Sequence, residues 1–132
     1  MHNTRIRELV LFLCLLGGIS ACDMSDICGN KVLKEVLSPN KQLNAITFER
    51  DCGATTGFSL HVSILKAAEL LKSDKTGNTF IIDAKHAVNV PINETNILWI
   101  NNQELLIRYS KNARTFKMEK NVDGVKIVYE TY

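Results

Sequence analysis

Ser59, His61 and Ser63 stand two residues apart. On an extended strand such residues share one face, so a hydroxyl and an imidazole could meet there. Acyl transfer needs more, namely a base oriented by a third group and donors for an oxyanion. Neither is readable around His61, and alternation alone accounts for a polar strand face turned to water. Glu49 and Asp51 have the same spacing. Paired carboxylates can hydrolyse glycosides, but only across a cleft of set separation, and a charged strand end is the plainer reading. Arg50, Gly53, Thr55, Thr56 and Gly57 make a third set, a possible binding loop. A loop bracketed by glycines can turn backbone N–H groups toward an anion, with Arg50 nearby in sequence. It lacks the strand–loop–helix context of a phosphate loop, and glycine with small polar residues is ordinary turn material. No residue is assigned a catalytic role.

The segment ahead of these residues says where they work. Arg5 and Arg7 precede a compact apolar run, Val10-Leu11-Phe12-Leu13-Cys14-Leu15-Leu16, which Gly17 and Gly18 break. This is the layout of a secretory leader, and the run is too short to span a bilayer, which takes about 20 apolar residues.

Ile19-Ser20-Ala21-Cys22 follows. An aliphatic residue, two small ones and a cysteine resemble the lipobox of bacterial lipoproteins. The resemblance implies a diacylglycerol on the Cys22 thiol, cleavage before Cys22 and acylation of the new amine. Two or more chains hold a protein stably on a membrane, whereas one does so only marginally. Asp23 in second place resembles the signal that, in enteric-type bacteria, keeps lipoproteins from outer-membrane sorting. That implies the periplasmic face of the inner membrane. A solvated linker charge is the competing account of Asp23. The expected organisation is a signal peptide over 1–21, a lipidated N-terminus and short tether over 22–30, and one domain over 31–132.

Loss of Arg5, Arg7 and Glu8 with the leader takes the net charge from +2 to +1. No basic field recruits nucleic acid, and no block of like charge reads as an interaction tail. Cys14 leaves with the leader and Cys22 takes lipid, so Cys28 and Cys52 remain. An even pair in an oxidising compartment reads as a disulfide. The alternatives are a zinc site, poor without nearby paired histidines, and a redox pair, which lacks the C-x-x-C spacing. No metal or cofactor is expected.

The mature chain reads as all-β, an antiparallel meander of about seven short strands forming a small sandwich, curled sheet or barrel-like domain. Residues 58–65 alternate most clearly, with Phe58, Leu60, Val62 and Ile64 on one face. In 42–51, Ile46 and Phe48 oppose Thr47 and Glu49. Pro39 and Asn40 mark a turn, 66–72 reads as one helical turn over a sheet edge, and Pro91 demotes 88–92 to an edge strand or loop. Runs at 97–100 and 105–109 make a hairpin around Asn101-Asn102-Gln103-Glu104. Asp123-Gly124 gives the strongest hairpin signal, joining 115–120 to 125–132 with Val125, Ile127 and Tyr129 facing the core. The segments 38–43 and 100–105 echo each other, each placing a polar turn before an aliphatic strand. The first resembles the turn-and-strand element of β-propeller blades, but two echoes cannot close a propeller, so they read as hairpin chemistry.

The stretch 48–59, with the turn at Ser38-Pro39-Asn40, is similar to a group of small bacterial envelope proteins that carry no assigned activity. The resemblance implies an envelope home and brings no site with it. The expected function is a membrane-anchored, non-enzymatic binding module. Its partners are the lipid bilayer through Cys22 and an envelope protein, a cell-wall component, or a toxin for which it is the immunity partner. The alternative is a small envelope hydrolase using the region from Arg50 to His61.

Overall fold

The computed structural model describes residues 28–53, 57–84 and 91–132. The leader, Cys22, Asp23, Thr55 and Thr56 lie outside these residues. The described chain is all-β, in two sheets. Its elements are β1 (Gly29–Leu37), β2 (Leu43–Asp51), β3 (Ser59–Lys66), β4 (Phe80–Asp83), a 3-10 turn (Ile92–Glu94), β5 (Asn96–Asn101), β6 (Glu104–Tyr109), β7 (Arg114–Met118), β8 (Asn121–Val122) and β9 (Val125–Thr131). The five-stranded sheet runs β1-β2-β3-β4-β7 and the four-stranded sheet β5-β6-β9-β8. β1 begins at Gly29, so Gly29 and Asn30 are strand rather than tether.

The first four strands are the expected meander, each antiparallel to the next. Two pairings then depart from a simple meander. β7 joins β4 in the first sheet, and β9 lies parallel to β6 in the second. The Asp-Gly hairpin forms, but its first arm is the two-residue β8 rather than the whole 115–120 run. Asp123 (φ 50°) and Gly124 (φ 80°) are both left-handed, as a tight two-residue hairpin turn of the favoured hand demands. β7 instead pairs with the edge of β4, which would otherwise present a row of unpaired backbone groups.

Leu60, Val62, Ile64, Phe80 and Ile82 from the first sheet meet Ile97, Trp99, Leu105, Ile107, Val125 and Ile127 from the second. Trp99 Nε1 donates to the Val36 carbonyl at 2.8 Å and joins the sheets along the β1–β5 side. Along the other side Phe80 packs edge-on to Tyr109, centroids 4.9 Å apart. The strand patterns expected for 58–65 and 125–132 thus point inward as read, except that Phe58 precedes β3 and is exposed. The helical turn expected over 66–72 is absent. Glu69 N–H donates to the Lys66 carbonyl (2.9 Å) to close one tight turn, and the chain then runs non-helical across the outer face of the first sheet.

Candidate functional site

The register of β2 and β3 explains that covering loop. Ile46 pairs with Ser63 and Phe48 with His61, so the apolar side of β2 adjoins the polar side of β3. The side holding Ile46 and Phe48 is not the one packed on the second sheet. Both residues are nonetheless buried, and so are His61 and Ser63. The loop over 67–79 excludes the water. The polar face expected on Ser59, His61 and Ser63 is therefore not solvated, because apolar neighbours in the adjacent strand require a cover.

The cover is fastened by Arg50, one of the residues that looked chemical, together with Asn30 and Lys117. Arg50 Nη1 donates to Asn30 Oδ1 (2.7 Å) and to the carbonyls of Ser73 (3.2 Å) and Lys75 (3.3 Å). Asn30 Nδ2 donates to the carbonyls of Lys72 (3.0 Å) and Lys75 (2.7 Å). Lys117 Nζ donates to the Gly77 carbonyl at 3.1 Å. At Gly77 the loop comes so close that an added Cβ would lie 2.9 Å from the Val62 carbonyl oxygen and 3.0 Å from His61 Cβ. Only a glycine fits there without movement.

His61 sits at the centre. Gly77 N–H donates to its Nδ1 at 2.9 Å, and Nε2 lies 2.8 Å from Ser59 Oγ. An N–H aimed at Nδ1 assigns the lone pair to that nitrogen and the proton of the neutral ring to Nε2. Burial first, then the positive charges of Arg50 and Lys117, push the His61 pKa down to about 4. The ring is neutral at pH 7 and donates to Ser59. A nucleophile's base needs the opposite arrangement, a lone pair facing the hydroxyl. The Ser59–His61 pair is built as a structural link.

Among the described residues the Arg50 guanidinium is held by Asn30 and the 73–75 segment, not by Gly53 or Gly57. Gly53 N–H donates to Asp51 Oδ1 at 2.9 Å, so a carboxylate of the chain already occupies the place an anion would take. Gly57 is exposed with open space around its Cα. Cys28 and Cys52 are joined in a disulfide, which uses both sulfurs and leaves neither as a thiolate ligand. Each lies just beyond the paired residues Gly29 and Asp51, so the bridge closes the end of the β1–β2 pair opposite the Ser38–Gln42 turn.

At the opposite end three turns converge on an open groove of about 490 Å³, lined by Asn40, Gln42, Asn101, Asn102, Gln103 and Asp123, with Leu43, Gly124 and Val125 beneath. These turns contain the two echoing segments together with the Asp-Gly tip. Asn40 N–H donates to Asn102 Oδ1 at 2.8 Å and ties the first turn to the second. Lys126 N–H donates to the Gln103 carbonyl at 2.8 Å and ties the third to the second. Within the first turn Ser38 Oγ donates to Asn40 Oδ1 at 2.8 Å. The left-handed residue there is Lys41 (φ 59°), one position after Asn40. The only signal for this site in the sequence is the repeated polar turn, and it does not say that the repeats meet. No family model, curated protein or solved structure matches the chain.

Proposed function

We propose that this chain is a lipid-anchored, non-enzymatic binding module of the bacterial cell envelope that presents its turn-end groove to a ligand. The proposed anchor is Cys22, and Asp23 holds the protein on the periplasmic face of the inner membrane in an enteric-type host. The observation that carries the reading is the direction of β1. The strand starts beside the disulfide, where the tether enters, and its last residue leads straight into the Ser38–Gln42 turn. Nine extended residues span about 30 Å, so an anchored domain would offer the groove on the side away from the bilayer. Support against the hydrolase alternative comes from Arg50 and His61, both engaged in holding the 67–79 loop, and from Ser59, which faces a proton on His61 Nε2 rather than a lone pair.

The test has two arms. Metabolic lipid labelling should mark the wild type and miss Cys22→Ser, and inner-membrane recovery should fall in Asp23→Ser. Capture of envelope material by the purified protein should drop in the triple variant Gln42→Ala, Gln103→Ala, Asp123→Asn. Lipid on Cys22→Ser would overturn the anchor. Undiminished capture by the triple variant would overturn the groove, and a hydrolytic activity abolished by His61→Gln would restore the enzyme reading.

A further inference from the structure

We infer that the turn-end groove binds a neutral saccharide, an inference that rests on the binding-module reading above. The argument starts from which polar atoms are already used. Asn40 Oδ1 accepts from Ser38 Oγ (2.8 Å) and from Gln42 N–H (3.2 Å). Asn101 Oδ1 accepts from Gln103 N–H (2.8 Å), and Asn102 Oδ1 from Asn40 N–H (2.8 Å). A backbone N–H meets only the oxygen end of a carboxamide, so these contacts set the orientation of all three amides. Their NH₂ groups make no hydrogen bond among the described residues and remain as donors at the groove. The side chains of Gln42 and Gln103 are likewise uncommitted, and Asp123 adds one carboxylate acceptor.

The lining excludes several ligand classes. It holds no lysine or arginine and one carboxylate, so phosphates, nucleic acid and acidic peptides would meet repulsion without compensation. It holds no aromatic residue and only Leu43 and Val125 as apolar side chains. Protein interfaces draw their energy from buried aromatic and arginine anchors, and drug-like ligands from apolar walls. What remains is a neutral ligand with many oxygen acceptors for the carboxamide donors and some O–H donors for Asp123. Sugar hydroxyls do both. The groove is open rather than enclosed and of ligand size at about 490 Å³, which suits a chain of sugars passing through. The backbone ties between the three turns hold the donors in place before binding, which lowers the ordering cost.

The purified full chain is titrated with a neutral β-1,4-linked N-acetylglucosamine tetramer and, in parallel, with a neutral capped tetra-alanine peptide. The side-chain NH₂ resonances of Asn40, Asn101 and Asn102 are followed by NMR. The tetramer should shift them saturably. Gln42→Ala with Gln103→Ala, side chains that make no hydrogen bond in the structure, should weaken binding about tenfold or more without moving the melting temperature. Absence of a shift at millimolar tetramer, a shift the double variant leaves intact, or a response to the peptide instead would each overturn the inference. The capture arm above reads groove occupancy by any envelope material. Groove-dependent capture with no saccharide response overturns only the saccharide class, and loss of both overturns the module reading as well.

Discussion

The two sheets treat their outer faces differently. On the first, Ile46 and Phe48 are fully buried under the 67–79 loop, with His61 and Ser63 beside them. On the second, Leu98 pairs with Leu106 and Leu106 with Val128. Leu98 stays 55 % exposed in that row, with Ile100 at 51 % one turn of the pleat away. Arg108–Glu130 and Lys126–Glu104 ion pairs flank the row at its two sides. Both faces carry apolar residues, so hydrophobicity alone does not decide which is covered. The difference lies in polar anchors. The first face has Arg50, Asn30, His61 and Lys117, whose hydrogen bonds reach backbone groups of a passing loop and satisfy them. The second face has charges that, among the described residues, pair with one another rather than with the backbone of a covering loop.

That contrast can be broken by mutation, and the largest effect should come from the covered face. Phe48→Ala removes a wholly buried ring and should cost about 3–5 kcal/mol, read from the denaturant midpoint. A loss below about 1 kcal/mol would mean that the loop is loose and the face is no second core.

The disulfide should come next. It joins residues 24 apart at the open end of the covered sheet, and the four-stranded sheet has no counterpart among the described residues. Cys28→Ser or Cys52→Ser should each lose roughly 3 kcal/mol, and the double variant no more than either single one. Additive losses in thermal melts would show that the two residues act separately.

The third effect is acid sensitivity centred on His61, which faces Arg50, Lys117, Ser59, Phe48 and the Gly77 amide. Its pKa is depressed in the folded protein, to about 4 from the ordinary 6.5. The unfolded chain therefore takes up the proton first as pH falls. The contribution is complete above pH 6.5 and lost progressively down to about pH 4, roughly 2 kcal/mol in all after allowance for solvent screening. Stability of wild type and His61→Gln measured at pH 7 and pH 4.5 checks it, and an equal pH slope in both would remove His61 as the cause.

The smallest effect belongs to the bare face. Leu98→Ser should change stability by no more than about 0.5 kcal/mol, because the side chain is already in water. A larger loss in the same denaturant assay would show that this face is buried in solution.

Parts of the fold were plain from residue order. Leu60, Val62 and Ile64, and Val125 with Ile127, face the core as their alternation requires, and Asp123-Gly124 turns a hairpin. The fate of 115–120 was not plain. The segment flanks the best turn in the chain, yet it pairs with β4 across the domain, because strand pairing depends on which edges remain open after the other strands have docked. The candidate groove was visible only as two similar turns at 38–43 and 100–105. Nothing local places Asn102 against the Asn40 amide. The solvated reading of His61 failed for a similar reason: it used the pattern of β3 without the neighbour in β2.

The sequence by itself determined the strands, the tight turns and a cysteine pair suited to a bridge, because each rests on local conformational preference or on counting. Tertiary structure alone decided three things: that β9 lies parallel to β6, that β2 and β3 of the first sheet are buried on both faces, and that three turns share one end. Period-two alternation relates the residues within a strand and is silent about the strand beside it. Once Ile46 met Ser63 and Phe48 met His61, either face left open to water would have exposed apolar surface. The 67–79 loop, with Arg50 and His61 to hold it, is the consequence of that register.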